Sequence, residues 1–90
     1  MRNKLERIFL HFGLKKQLLK LGEECLELIE AMIENDREHI KEEIADVMVI
    51  ASEFKEFYEI TDTELIEMIE YKIDRTIDRI DEGYYERLGK

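Results

Sequence analysis

No proline interrupts this chain of 90 residues, and its apolar side chains return every three or four positions from Leu5 to Tyr84. A backbone without proline keeps every amide donor for i→i−4 bonding, and that spacing places the apolar side chains on one face of a helix. Gly13, Gly22, Gly83 and Gly89 are the only strong breakers. The pattern predicts an all-α fold of long helices with few interruptions.

Leu5, Ile8, Phe9 and Phe12 predict a short amphipathic helix that Gly13 ends as a left-handed cap. A second helix runs from about Leu14 to Glu34. Asn35-Asp36 is a turn and N-cap signal for a third, reaching about Glu59, with Ile40, Ile44, Val47, Ala51, Phe54 and Tyr58 on one side. Thr61 with Glu64 fits a capping box, and Ile66, Ile69, Ile73, Ile77, Ile80 and Tyr84 continue a seam into the tail. With no linker or repeat, residues 1–90 read as a single domain, a bundle of about four helices. A chain this short buries roughly 60 to 65% of its unfolded surface, so its core is expected to be completed by homo-oligomerisation, as a homodimer or homotetramer.

The formal net charge is −9, from 23 acidic against 14 basic residues. Affinity for a nucleic-acid polymer comes from Lys and Arg neutralising phosphates, so that class of partner is excluded; a small anionic ligand screened by metal ions is not. Cys25, the single cysteine, has no internal disulfide partner and falls by phase in the middle of the stripe Leu14, Leu18, Leu21, Cys25, Leu28 and Met32, which reads as core packing. No secretory segment follows the first Met. The longest nearly apolar run, Ile44 to Ala51, is far shorter than a membrane span and contains Asp46. A soluble, cytoplasmic protein with no membrane partner is expected.

Two i, i+3 acidic pairs, Glu24 with Glu27 and Glu43 with Asp46, do not follow the usual rule that helical carboxylates face water. At about 100° per residue, Glu24 falls at the edge of the apolar face of the second helix, with Glu27 a little further round and Gln17, Lys20 and Ala31 on the same flank. Glu43 falls between Val47 and Ile50, and Asp46 just beyond Phe57. Phase separates these four from other E-x-x-E spacings such as Glu53/Glu56, Glu64/Glu67 and Glu67/Glu70. Glu42 and Glu53 point away from this face and are assigned to solvent, as are Glu30 and Glu34.

A short turn near Asn35 makes the second and third helices an antiparallel hairpin, in which residues equidistant from the turn come level. Glu27 lies eight positions before Asn35 and Glu43 eight after it, so the two pairs face each other. Removing water from an unpaired carboxylate is costly, so a cation is expected among the four. Oxygen-only ligands suit Mg²⁺ or Mn²⁺ better than Zn²⁺, and Mg²⁺ keeps positions for water and substrate phosphates. The competing reading, solvated charges paired with Lys or Arg at i, i+4, is the usual fate of a lone E-x-x-E but does not account for two facing pairs.

Glu23-Glu24-Cys25-Leu26-Glu27, followed after fifteen residues by Glu43-Ile44-Ala45-Asp46, resembles the E-E-x-x-E then E-x-x-D signature of the MazG-like, all-α nucleoside triphosphate pyrophosphohydrolases. Gln17-Leu18-Leu19-Lys20-Leu21-Gly22 is similar to the family's lead-in, and Lys72 to Arg75 with Arg79 to Tyr85 is similar to its closing helix and tail. The resemblance covers about Leu14 to Tyr85. It implies cleavage of free (d)NTPs between the α and β phosphates, with Mg²⁺, giving a monophosphate and pyrophosphate. Glu24, Glu27, Glu43 and Asp46 would be its metal ligands and catalytic carboxylates, with Glu23 in a supporting role and Lys72 reaching the phosphates. Gln17, Lys20, Arg75 and Arg79 are further substrate-binding candidates. Where some relatives have an amide one turn after this lysine, this chain has Thr76.

Phe54 and Phe57 are candidates to stack on a base, against the commoner role of core residues. His11 and His39 belong to no ligand pattern and are assigned to the surface. Two alternatives stay open: a phosphoribosyl-ATP pyrophosphohydrolase, which shares the helical scaffold, and a non-catalytic helical dimerisation module with incidental acidic clusters.

Overall fold

A computed structural model describes residues 2–87. They form α1 (Arg2–Phe12), α2 (Leu14–Glu34), α3 (Arg37–Phe57), α4 (Asp62–Asp81) and a short α5 (Tyr84–Arg87), with no strand among them. The fold is all-α. It divides into two compact units, residues 1–59 and 60–90. No helix of the described residues is long and apolar enough to cross a membrane.

The helix boundaries follow local chemistry. At Gly13 the backbone takes φ 86° and ψ 162°, a positive-φ conformation open to glycine but outside the left-handed helical region expected of a cap. Gly13 also joins α1 to α2 in a single residue: its N–H donates to Phe9 O at 2.8 Å and its carbonyl accepts from Gln17 N at 3.1 Å. Asn35 closes α2 in the left-handed conformation. Asp36 caps α3, its Oδ1 accepting from the backbone of Glu38 and His39 at 3.1 and 3.3 Å. α3 stops at Phe57, two residues short of the expected end, and Glu59 turns left-handed at φ 56°.

In the second unit, Thr61 and Glu64 form the reciprocal capping box, with Glu64 N donating to Thr61 Oγ1 and Thr61 N to Glu64 Oε2. The isoleucine seam of α4 does not continue into the tail as one helix, because Glu82 and Gly83, at φ 70°, break it before α5. α4 buries none of its residues within the chain.

The first unit packs α1, α2 and α3 around Leu5, Phe9, Ala31 and Ile50. Phe9 stacks on Phe57 (centroids 4.8 Å apart) and meets Phe54 edge-on at 5.5 Å, so these two phenylalanines hold α1 against α3. The buried seam of α2 is not the expected stripe. It runs through Gln17, Glu24 and Ala31, with Leu21 and Leu28 half-buried, while Leu14, Leu18, Cys25 and Met32 are exposed. The assignment of Cys25 to the core is therefore corrected. α3 is turned in the same sense: Glu43, Ile50 and Glu53 are buried, whereas Ile44, Ala51 and Tyr58 are exposed. A helix can present either of two adjacent faces to a neighbour, and here the fully buried Ala31 lies where close approach of the helices needs a small side chain.

Candidate functional site

The α2–α3 hairpin brings Glu24, Glu27 and Glu43 together, with ligand oxygens all within 4.8 Å of one another. The equal spacing of Glu27 and Glu43 about Asn35 produces this meeting. Glu24 and Glu43 are buried and Glu27 is exposed. Asp46 is exposed and is not one of this close set of three. It lies one turn beyond Glu43 and lines a cavity of about 570 Å³ together with Glu23, Glu24, Gln17 and Lys20. Glu23 is exposed there.

Glu24 and Glu43 each have one oxygen beside a nitrogen-bearing side chain and one without a partner. Lys20 Nζ lies 3.0 Å from Glu24 Oε1, and His39 Nε2 lies 3.4 Å from Glu43 Oε1. Glu24 Oε2 and Glu43 Oε2 are buried with no hydrogen-bond partner. Buried polar atoms are almost always satisfied, so two orphaned oxygens on facing helices mark a place for a cation. All the donors are carboxylate oxygens, which fits a hard divalent ion.

Electrostatics separate the two carboxyls. Burial pushes the Glu43 carboxyl above its ordinary value, and the neighbouring Glu24 carboxylate and the charges of Glu27 and Asp46 push it the same way. Burial acts upward on Glu24 too, and is the largest single influence, but the Lys20 ammonium together with the neighbouring carboxyls of Glu43 and Glu27 holds that carboxyl below the ordinary value. Glu24 in turn raises the pKa of Lys20 through the same contact.

His39 was assigned to the surface with no ligand pattern, yet it is half-buried and bridges two acids, with Nδ1 3.3 Å from Glu34 Oε2 and Nε2 facing Glu43. Its hydrogen bond to Glu34 raises its pKa against the opposing effect of burial, helped by the charges of Glu34, Glu43 and Asp36. The i, i+4 spacing of His39 and Glu43 was the available signal.

Glu53, assigned to solvent, is instead the most deeply buried polar residue described, at 2% exposure, and its Oε1 accepts from Gln17 Nε2 at 2.8 Å. Gln17 and Glu53 stand eighteen residues before and after Asn35, the relation that pairs Glu27 with Glu43, so the same hairpin arithmetic was able to find them. Phe54 and Phe57 pack on Phe9. His11 is exposed.

Lys72, Arg75 and Arg79 belong to the second unit, on α4. Lys72 is exposed, and its carbonyl accepts from Thr76 Oγ1 at 2.8 Å. The Arg75 and Arg79 guanidinium groups lie over the rings of Tyr71 and Tyr84, 6.0 and 4.7 Å from the centroids.

Comparison with curated proteins and with solved structures returned no match. The profile of the MazG nucleotide pyrophosphohydrolase domain, by contrast, matches residues 12–80. That span takes in both acidic pairs and the turn that sets them level, and the chain belongs to the MazG nucleotide pyrophosphohydrolase family.

Proposed function

We propose that this chain hydrolyses free nucleoside or deoxynucleoside triphosphates between the α and β phosphates, with Mg²⁺, or Mn²⁺ in its place, releasing a monophosphate and pyrophosphate in the cytoplasm. The observation that carries this reading is the pair of orphaned buried oxygens, Glu24 Oε2 and Glu43 Oε2, the first of them on a residue that lines a cavity of about 570 Å³.

Glu24, Glu27, Glu43 and Asp46 would hold the metal, which would supply neutralisation of phosphate charge and a lowered pKa of water. Lys20, half-exposed at the cavity, leaves Glu24 for a phosphate oxygen when substrate arrives. Water attacks the α phosphorus, the bond to the bridging oxygen of the β phosphate breaks, and a carboxylate of the acidic set takes the proton that the water gives up. We propose further that copies of the chain pair through the exposed apolar faces of α2 and α4.

Pyrophosphate release from a panel of NTPs, dNTPs and phosphoribosyl-ATP, with Mg²⁺ and with chelator, tests the reading, with Glu43→Ala and Asp46→Asn compared to the parent protein. Metal-dependent release that both variants lose while keeping helicity supports it. Release by Asp46→Asn at the parent rate removes Asp46 from the metal set. No release from any substrate moves the chain to a non-catalytic helical module.

A further inference from the structure

One buried carboxylate has no part in the reaction proposed above. Glu53 is 2% exposed, Gln17 is 5% exposed, and they are joined by a 2.8 Å hydrogen bond across α2 and α3. Burying a carboxylate is unfavourable unless its lone pairs are used, and an apolar pair would join two helices at lower cost. The pair is a poor device for holding helices together and a good one for meeting a ligand.

Its position agrees. Both residues line the cavity that also reaches Glu24 and Asp46. Gln17 precedes Glu24 by seven residues on α2, and Glu53 follows Asp46 by seven on α3. Because the helices are antiparallel, both steps lead two turns away from Asn35, about 10 Å at 1.5 Å per residue. The carboxylates stand at one end of the cavity and the Gln17–Glu53 pair at the other, with Ile50 between them on α3. That separation is on the scale of the distance from an α phosphate to the hydrogen-bonding edge of its base.

We infer that Gln17 and Glu53 read the base of the nucleotide and favour guanine, an inference that rests on the pyrophosphohydrolase reading above. An ionised carboxylate only accepts hydrogen bonds, and Gln17, with its amide nitrogen turned to Glu53, is left with its carbonyl oxygen as acceptor. A pair of acceptors selects donors. Guanine presents a ring N–H beside an exocyclic amino group, two parallel donors that match the two oxygens of a carboxylate. Uracil and thymine set one N–H between two carbonyl oxygens, which face the pair unfavourably, and adenine and cytosine set their amino group beside a ring acceptor.

The test is kcat/KM for pyrophosphate release from GTP, ITP, ATP, CTP and UTP with Mg²⁺; ITP keeps the ring N–H and lacks the amino group. GTP is expected to exceed ITP by roughly 10- to 100-fold, the worth of one hydrogen bond to a charged acceptor. Glu53→Gln, isosteric with the native residue, is expected to bring GTP down toward ITP. Equal values for GTP, ITP and UTP in the parent protein, a preference for UTP, or an undiminished GTP preference in Glu53→Gln overturns the inference and leaves the pyrophosphohydrolase reading standing. Absence of release from every triphosphate defeats that reading instead. Calorimetric titration of GMP, IMP and UMP into the parent protein then decides the base preference alone: tightest binding of GMP supports it, and equal affinities overturn it.

Discussion

Lys20 Nζ sits 3.0 Å from Glu24 Oε1, one turn along the same helix, so a carboxylate of the proposed metal site already holds a cation of the protein's own. Lysine and metal compete for that oxygen. Lys20→Met is expected to tighten Mg²⁺ binding in the absence of nucleotide by about two- to fivefold, the range of a half-exposed ion pair, while raising KM for the triphosphate. Calorimetric Mg²⁺ titrations and steady-state kinetics check the two halves; weaker Mg²⁺ binding refutes the competition.

Glu43 brings a buried, partly unpaired charge to the α2–α3 seam. Glu43→Gln is expected to raise the melting temperature of the metal-free protein, because removing an uncompensated buried charge is stabilising. Mg²⁺ at a hundredfold excess over its Kd adds about 2.7 kcal/mol to the parent protein, on the order of 10 °C for a domain of this size, and this gain is expected to shrink in Glu43→Gln. Thermal melts with Mg²⁺ and with chelator measure both, and an equal Mg²⁺ shift in the two proteins sinks the assignment.

The raised pKa values of Glu43 and His39 set the pH response of the metal-free protein. A group whose pKa is higher folded than unfolded contributes stability that is complete below its unfolded pKa and is lost as pH rises through the folded one. The ordinary values are 4.5 for Glu43 and 6.5 for His39, so both losses fall above pH 4.5 and stability should decline from there through neutrality. Glu24, lowered, acts oppositely and only below its ordinary value of 4.5. Urea midpoints between pH 5 and 8 read the slope; a midpoint that rises across this range contradicts it.

Gly22 lies in the middle of α2, and a Cβ there meets nothing within 4 Å. Gly22→Ala is expected to stabilise the fold by about 0.5–1 kcal/mol through helix propensity and lost unfolded-state freedom. A lower melting temperature would mean that another surface comes close to this position in solution.

Ile66, Ile69, Ile73 and Ile77 are about half-exposed along α4, which predicts at least a dimer by light scattering at micromolar concentration. Ile73→Glu should reduce the mass toward one chain. A parent protein that is monomeric under those conditions rules out the pairing.

What was readable in the sequence was mainly what is local. Thr61 and Glu64 announce their capping box in four residues, and the span of α2 from Leu14 to Glu34 follows from Gly13 and Asn35. Hairpin register was also accessible, because a short turn makes distance from Asn35 a measure of depth; Glu27 and Glu43 meet on that account. Rotation about the helix axis was not. Cys25 shares a stripe with Leu18 and Met32, but the face turned inward is the next one round, through Gln17, Glu24 and Ala31. Glu53 is assigned to solvent by the same misplaced rotation, because phase turns it away from the face expected to be buried, and its partner is 36 residues away.

Phe9 is held by Phe54 and Phe57, whereas its helical neighbours Ile8 and Phe12 form part of the cavity wall. The aromatic clamp therefore acts as a set-screw on α1. Loosening or refilling it shifts the wall and resizes the chamber without altering any acidic residue, so substrate range and chemical competence are free to evolve on separate helices.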